Sequence, residues 1–226
     1  MKDDLESGGY RHWLGIIEKH LEGRTCLDVL DVGTGPGFFP VILGRNGHRV
    51  TGVDASDAML AKAADNCAKY GVEAEFRNMN ALDLDFPDES FDLVVSRNLV
   101  WNLEDPAKAY SEWLRVLRPG GKLMVFDGNH YLFLYDRDYE ALDSYRGMGR
   151  EKDHAHMGNV DPKIIENIAR DLPLSCHRRP QWDSDTLMEM GVRTLHIQTD
   201  GRDSFHMEKD GKDVYLPFSF FICACK

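Results

Sequence analysis

The chain has 226 residues, 42% of them hydrophobic, which is enough for one domain with a continuous core. A formal net charge of −11 opposes nucleic-acid binding, which depends on basic surface, although a local basic patch at residues 177–179 stays open. No apolar run is long enough for a signal peptide or a membrane span. We therefore expect a single-domain cytoplasmic protein without nucleic-acid or membrane partners, its five cysteines reduced.

Residues 1–25 predict an N-terminal helical segment. Apolar side chains, among them Trp13, Ile16 and Leu21, recur at helical spacing from about Tyr10. The charged residues before them do not continue this pattern.

Residues 26–127 alternate short apolar runs with helical stretches, which is the pattern of a parallel sheet covered on both faces. The predicted strands are residues 26–32, 48–53, 74–79, 91–96 and 122–127. Ser56 or Asp57 is expected to cap the helix after the second strand. Asp105 is expected to cap the helix before the fifth strand, with Pro106 at its first position.

The alternation stops at residues 128–182, which we interpret as an insertion over the C-terminal edge of the sheet, with one helix starting at residues 161–162. Residues 183–226 predict a helix at 184–190 and two strands, 192–199 and 218–225, that pair as an antiparallel hairpin at the sheet edge. The expected fold is one α/β domain with a doubly wound, mostly parallel sheet.

A glycine-rich turn joins the first strand to the first helix of this sheet, where open α/β sheets bind ligands. Gly33, Gly35 and Gly37 let the backbone approach a ligand closely. The dinucleotide fingerprint has glycine where this chain has Phe38, and this argues against NAD. Asp54 ends the second strand, where a carboxylate can accept both hydroxyls of a ribose.

Three further blocks raise the specificity of this pattern: Asn80-Ala81 after the third strand, residues 86–92 before the fourth and residues 115–121 before the fifth. In this order the blocks resemble the class I S-adenosylmethionine-dependent methyltransferases, over roughly residues 26–127. The resemblance implies a Rossmann-like, seven-stranded sheet of order 3-2-1-4-5-7-6, its last strand antiparallel. It also implies S-adenosyl-L-methionine as the cofactor.

The resemblance also implies roles for individual residues. The methionine end of the cofactor is expected at the turn, and the ribose and adenine at the ends of the second and third strands. Asn80 stands where many members of the family have Asp, and its amide carbonyl still accepts a hydrogen bond. The implied methionine-end residues are Asp31, Gly33, Thr34, Gly35 and Gly37, and the implied ribose and adenine residues are Asp54, Ala55, Asn80 and Ala81.

Arg97 follows the fourth strand at the mouth of the expected pocket. Its guanidinium suits the carboxylate of the cofactor or an acidic substrate, and a structural role is equally open. Trp101, close behind, suits a cationic sulfonium, although core packing is the alternative.

Candidates for the acceptor site follow the fifth strand. His130 and Tyr131 are expected at the same sheet edge as the cofactor, with His130 as a possible base. Tyr10 is a candidate because the N-terminal helix of similar enzymes folds over the cofactor. His154 is a candidate base, and with His156 it forms a pair that lacks a third metal ligand, so we expect no metal site.

These features predict methyl transfer to a small-molecule acceptor, with the attacked atom (N, O, S or C) and the oligomeric state undetermined. A non-catalytic regulatory protein that binds S-adenosyl ligands is one alternative. An NAD-dependent oxidoreductase is the other, disfavoured by Phe38.

Overall fold

A computed structural model describes residue 5 and residues 8–140, 162–199 and 204–226 of the chain. The main helices are α1 (Tyr10–Leu21), α2 (Phe38–Gly44), α3 (Asp57–Lys69), α4 (Pro106–Val116), α5 (Pro162–Arg170) and α6 (Gln181–Glu189). The strands are β1 (Asp28–Val32), β2 (Arg49–Asp54), β3 (Glu75–Asn78), β4 (Phe91–Arg97), β5 (Leu117–Gly128), β6 (Thr194–Thr199), β7 (Ser204–Lys209), β8 (Lys212–Pro217) and β9 (Ser219–Cys225).

Seven strands form one sheet in the order β3-β2-β1-β4-β5-β9-β6, and β7 pairs with β8 in a separate sheet. Strands β1 to β5 are parallel, and β9 is antiparallel to both of its neighbours, β5 and β6. With β6 and β9 as the predicted sixth and seventh strands, the predicted order is confirmed. The carboxyl ends of β1, β2, β4 and β5 therefore meet at one edge of the sheet.

Alternating residues of the strands pack on opposite faces of the sheet. On β1, Leu30 and Val32 belong to the core under α4, which includes the fully buried Trp113. Val29 belongs to the core on the other face, under α1 and α2, with Ile17. Both faces are thus covered, as the continuous apolar strands predict.

The helix caps follow the predicted chemistry. The Ser56 side chain accepts a hydrogen bond from the backbone of Met59 at the start of α3. Asp105 accepts one from the N–H of Lys108 at 2.9 Å, with Pro106 in the first turn of α4. The predicted starts of both helices are confirmed.

The hairpin β7–β8 was not predicted, although its turn carries a sequence signal. Asp210 and Gly211 both have positive φ, 54° and 72°, as the two central residues of a tight hairpin turn require. Leu216 of β8 packs against Leu132 and Tyr139, so the hairpin covers the segment that follows β5.

Two predicted boundaries are wrong. Strand β5 begins at Leu117 rather than Lys122, because Leu117 pairs with Phe91 and the Pro-Gly-Gly sequence forms a bulge rather than a separating turn. Helix α6 begins at Gln181, so the boundary that we predicted after Trp182 falls inside a helix.

Candidate functional site

The glycine-rich turn joins β1 to α2 and is tied to the end of β2. The N–H groups of Gly33 and Thr34 both donate to the carbonyl of Val53, each at 2.9 Å. Gly33, Gly35 and Gly37 have φ of 69°, 50° and 83°, a region that side-chain-bearing residues rarely adopt. The path of this turn therefore requires glycine.

Asp54, the last residue of β2, faces this turn. One carboxylate oxygen accepts the N–H of Gly35 at 2.9 Å and the other accepts the N–H of Ser56 at 2.9 Å. A carboxylate has about four lone-pair positions, so each oxygen keeps capacity for a further donor. Backbone N–H groups thus hold the Asp54 carboxylate in place, and both of its oxygens can accept further hydrogen bonds.

Asp31, one residue before the end of β1, carries a buried carboxylate. Burial raises its pKa to about 7, although the hydroxyl of Thr34 and the charge of Arg97 act in the opposite direction. The Thr34 hydroxyl donates to it at 2.7 Å. A carboxyl that titrates near neutrality beside a cavity is a candidate functional group.

These side chains surround a space of about 350 Å³ that we call the glycine-turn cavity, which is within the usual range for small-molecule sites. Five of the residues implied by the resemblance line it, namely Asp31, Gly33, Thr34, Gly35 and Asp54, and Arg97 lines it as well. Sequence analysis assigned no site role to the others, which are Pro36, Phe38, Phe39, Met59, Asn98 and Leu99. The signal for the two phenylalanines is their position directly after the last glycine.

Gly37 does not line this cavity. A Cβ added to it would lie 3.0 Å from the Cα of Ala63, so this glycine allows α2 to approach α3. Its role in the structure is packing.

The three predicted adenine residues also lie outside the lining of the glycine-turn cavity. Asn80 uses its side-chain oxygen to accept the backbone N–H of Leu82 at 2.9 Å. The carbonyl of Ala81 accepts an indole N–H from α4 at 2.9 Å. Ala55 directly follows Asp54, so all three stand at the ends of β2 and β3 beside the cavity.

Arg97 ends β4 and stacks on aromatic rings. Its guanidinium carbon lies 4.1 Å from the ring centroid of Phe38 and 5.3 Å from that of Trp13. Arg97 also lines the glycine-turn cavity. Its positive charge lies at the end of β4, whereas Asp54 lies at the end of β2, on the other side of β1.

A second space of about 140 Å³ lies under α1, and we call it the α1 cavity. Its lining residues are His12, Trp13, Ile16, Asn98, Phe126, Asp127, Gln198, Thr199, Ser219, Phe220 and Phe221. Asn98 lines both cavities, has a positive φ of 53° and donates its N–H to the carbonyl of Phe126 at 2.8 Å. The two cavities therefore adjoin at Asn98.

Tyr10 is not among the residues that line the α1 cavity. It is partly buried and packs against the core under α1. His12, Trp13 and Ile16, which follow it on the same helix, line the cavity instead. The resemblance to the family predicts that the N-terminal helix folds over the cofactor. In the structure, His12, Trp13 and Ile16 are the residues with which this helix covers the α1 cavity.

Trp101, His130 and Tyr131 form an aromatic group behind the two cavities. The Trp101 ring centroid lies 5.0 Å from that of His130 and 5.3 Å from that of Tyr131. The Trp101 indole donates to the carbonyl of Asn98 at 3.1 Å, and its backbone N–H donates to Asp127 at 3.0 Å. None of these three aromatic residues lines the glycine-turn or α1 cavity.

A buried ionic network lies beneath the α1 cavity. The guanidinium of Arg179 contacts the carboxylates of Asp127, at 2.8 Å, and Asp183, at 2.6 Å. Tyr110 donates its hydroxyl to Asp183 at 2.6 Å, and the Asn129 amide donates to the carbonyl of Arg179 at 2.8 Å. The complete burial of Arg179 between these two carboxylates shows that it ties the structure together.

Each charged group in this network favours the ionised form of its partner. Burial opposes the charge of Arg179, but the two carboxylates outweigh it and raise its pKa well above the usual value. Burial likewise opposes ionisation of Asp127, but the charge of Arg179 lowers its pKa overall. Asp127 and Arg179 are 52 residues apart in the chain, so no local sequence pattern reveals their contact, whereas Asp183 is only four residues after Arg179.

His154 and its neighbour His156 lie outside the described residues. Within the described ranges, no three His, Cys, Asp or Glu side chains are grouped so that they can hold a metal ion. None of the helices described is both long enough and apolar enough to cross a membrane.

Solved methyltransferase structures share this fold over nearly the whole chain. A SAM-dependent methyltransferase from Aquifex aeolicus has a TM-score of 0.60 at 18% identity, covering 93% of this chain and 88% of that one. One from Methanosarcina mazei has a TM-score of 0.60 at 23% identity, covering 93% and 96%. The fold is therefore that of the Rossmann-like, class I methyltransferases.

Sequence comparisons define the family. A methyltransferase domain model matches residues 30–125. Phosphatidylethanolamine N-methyltransferase from Cereibacter sphaeroides is 36% identical over 148 residues, 58% of this chain and 70% of that protein. A ubiquinone/menaquinone biosynthesis C-methyltransferase from Vibrio vulnificus is 33% identical over 150 residues, 63% of this chain and 56% of that protein. The chain belongs to the S-adenosylmethionine-dependent methyltransferases, and S-adenosyl-L-methionine is its cofactor.

Proposed function

We propose that this enzyme transfers the methyl group of S-adenosylmethionine to a small-molecule acceptor bound in the α1 cavity. The observation that carries the proposal is that Asn98 lines both this cavity and the glycine-turn cavity. A cofactor in one and an acceptor in the other meet there. The names of the relatives include N- and C-methyltransferases, so they do not select the attacked atom.

The residues of the glycine-turn cavity fit the cofactor. Gly33 and Gly35 have no side chain and so leave room for the methionine end. A Cβ at Gly33 would, in addition, collide with Leu99. Asp31 would hold the amino group, and the spare acceptor positions of Asp54 suit the two ribose hydroxyls. Arg97 would pair with the cofactor's carboxylate. Ala55, Asn80 and Ala81 would border the adenine at the ends of β2 and β3.

The cofactor supplies a methyl group on a sulfonium, which is already an activated donor. The protein's own contribution is to hold the acceptor in line with that methyl and to exclude water, and such positioning can supply about 7–11 kcal/mol in favourable cases. Trp13, Phe126 and Phe221 provide apolar walls for this purpose. The amide of Asn98 would hold the acceptor at the junction.

Replacing Asp54 with alanine is expected to weaken cofactor binding by about tenfold or more, because a charged acceptor contributes about 1.5–3 kcal/mol. The dissociation constant of S-adenosylhomocysteine, measured by calorimetry, tests this. Asp57→Ala, which removes an aspartate from the first turn of α3, is the control. An unchanged constant in folded Asp54→Ala would remove the ribose role.

Replacing Ile16 with tryptophan is expected to fill the α1 cavity and abolish methyl transfer, while cofactor affinity stays within about twofold. Ile164→Trp, at a position 55% exposed on α5, is the matched control. A screen of metabolite classes by mass spectrometry, seeking a gain of one methyl group, provides the assay. If S-adenosylhomocysteine binds but no compound is methylated, the non-catalytic alternative is favoured.

His130→Ala and Tyr131→Ala are expected to reduce turnover without loss of cofactor affinity, because each removes a ring that packs against Trp101, which donates hydrogen bonds to Asn98 and Asp127. Gly33→Ala is expected to damage both properties, since its Cβ would lie 2.7 Å from the Leu99 side chain. Equal losses of affinity in all three variants would contradict this separation. Calorimetry and the transfer assay measure the two effects.

A further inference from the structure

The described lining of the α1 cavity contains one carboxylate but no lysine or arginine side chain. That carboxylate belongs to Asp127. The aromatic rings of Trp13, Phe126, Phe220 and Phe221 make up much of the remaining wall. An anionic ligand would find no cationic partner among these residues.

The network behind this wall has a negative sum. Arg179 supplies one positive charge, whereas Asp127 and Asp183 supply two negative charges. The side chains of Arg179, Asp127 and Asp183 are 1%, 0% and 0% exposed, so water screens them poorly. Tyr110, which donates to Asp183, stays neutral because its pKa is raised well above the usual value, first by burial.

Neighbouring cationic side chains do not remove this excess of negative charge in the network. Arg97 lines the glycine-turn cavity, where Asp31 and Asp54 oppose its charge. His130 lies 3.5 Å from Asp127 but is not among the lining residues of the α1 cavity. His12 is exposed on the wall of the α1 cavity. In the network behind the cavity wall, the two buried carboxylates therefore outnumber the one guanidinium.

Resting on the proposed function, we infer that the methyl acceptor is a small amine. Its ammonium form first releases a proton to solvent. The nitrogen lone pair then forms a bond to the methyl carbon as the carbon–sulfur bond breaks, and that bond's electron pair stays on sulfur as a neutral thioether. The positive charge moves from sulfur to nitrogen, so the product is an N-methylammonium ion.

The buried negative charge favours this course over its alternatives. Once the ammonium proton has left to solvent, the neutral amine and the sulfonium together carry one positive charge, which stays in the complex through methyl transfer, and the network attracts it. A phenolate, thiolate or carboxylate acceptor would place a second anion beside Asp127 before the reaction, which is unfavourable in a poorly solvated site. The cavity, about 140 Å³, resembles in size a cavity that accepts one benzene molecule, of about 150 Å³.

Three probes that share one ring and differ in charge test the inference: benzylamine, benzyl alcohol and benzoate. Their dissociation constants are measured at pH 8 with the full-length protein saturated with S-adenosylhomocysteine, which lacks the sulfonium charge. Benzylamine is expected to bind at least about tenfold more tightly than benzyl alcohol, and benzoate more weakly than both. Ile16→Trp is expected to abolish the binding of all three.

A charge variant adds a second measurement. Asp183→Asn removes one negative charge from the network without changing the cavity lining, and it is expected to reduce the preference for benzylamine to about threefold or less. Asp185→Asn, exposed on the same helix, is expected to keep the wild-type preference. If Asp183→Asn does not fold, the three-probe series on the wild-type protein decides alone.

Tighter or equal binding of benzyl alcohol or benzoate would overturn the amine inference and leave the acceptor cavity in place. Binding of all three that persists in Ile16→Trp, or no binding of any probe, would overturn the inference because the cavity would not be the acceptor site. Methylation of alcohols or acids but not amines in the metabolite screen would also overturn it, while confirming methyl transfer.

Discussion

Arg179→Met is expected to lower the free energy of unfolding by about 3–5 kcal/mol, because it leaves buried carboxylates without their cation. Asp127 loses the contact at 2.8 Å and Asp183 the one at 2.6 Å, and neither side chain is accessible to water. In a domain of this size the melting temperature should fall on the order of 10 °C. Thermal unfolding followed by circular dichroism at pH 7.5 measures the change.

The neighbouring residue provides the control. Arg178 pairs with Asp136 and Asp138 at 2.6 and 2.9 Å, but its side chain is 44% exposed. Exposed ion pairs contribute about 0–1 kcal/mol each, so Arg178→Met should lower the melting temperature only slightly. Equal melting temperatures for the two variants would show that the buried network does not stabilise the fold.

Asp31→Asn is expected to stabilise the protein at pH 8 by up to about 4 kcal/mol in the absence of cofactor. Burial raises the pKa of Asp31 from 3.8 to about 7. The folded state therefore holds this proton more tightly than the unfolded state, and stability is lost as pH rises from about 4 to about 7. A shift of about three units corresponds to about 4 kcal/mol, at about 1.4 kcal/mol per unit. Asparagine removes the charge and keeps an acceptor for Thr34.

The measurement is chemical denaturation of wild type and variant at pH 4.5 and pH 8, with the gain expected mainly at pH 8. Asp28→Asn, on the same strand, is a control of opposite sign. Hydrogen bonds from Arg49 and Arg118 hold the pKa of Asp28 below its usual value, so removing its charge should destabilise at pH 8. A loss of stability in Asp31→Asn at pH 8 would contradict the assigned cost of burial.

Asp31→Asn should also bind S-adenosylhomocysteine, the demethylated form of the cofactor, poorly. If Asp31 pairs with the ligand's amino group, its ionised form binds, and wild-type affinity for S-adenosylhomocysteine should rise about tenfold from pH 6 to pH 8. Above about pH 8 the amino group itself loses its proton and the gain ends. Asp31→Asn should lose this pH dependence, and calorimetry across the range tests it. A wild-type profile that is flat would remove Asp31 from the methionine end.

Local sequence patterns predicted the parallel sheet and the cofactor side of the site. The reason is that each signal lies within a few residues: the apolar runs define strands, and Gly33 and Gly35 define the turn. Asp54 was predictable because the carboxyl ends of adjacent parallel strands always meet at one sheet edge. The Asp-Gly sequence at residues 210–211 carried a comparable hairpin signal.

Side chains brought together from distant segments decided the rest. The α1 cavity combines α1 with the ends of β4, β5, β6 and β9, and so Trp13 and Ile16 line it whereas Tyr10 does not. Arg179 meets Asp127 across an interval of 52 residues, because both are buried at the end of β5. The sequence alone therefore determined the fold and the glycine-rich turn, since these depend on local backbone chemistry, and its resemblance to a known family indicated the cofactor class. Only the tertiary structure decided which side chains line the α1 cavity and which charges lie behind them, since burial and long-range packing set both.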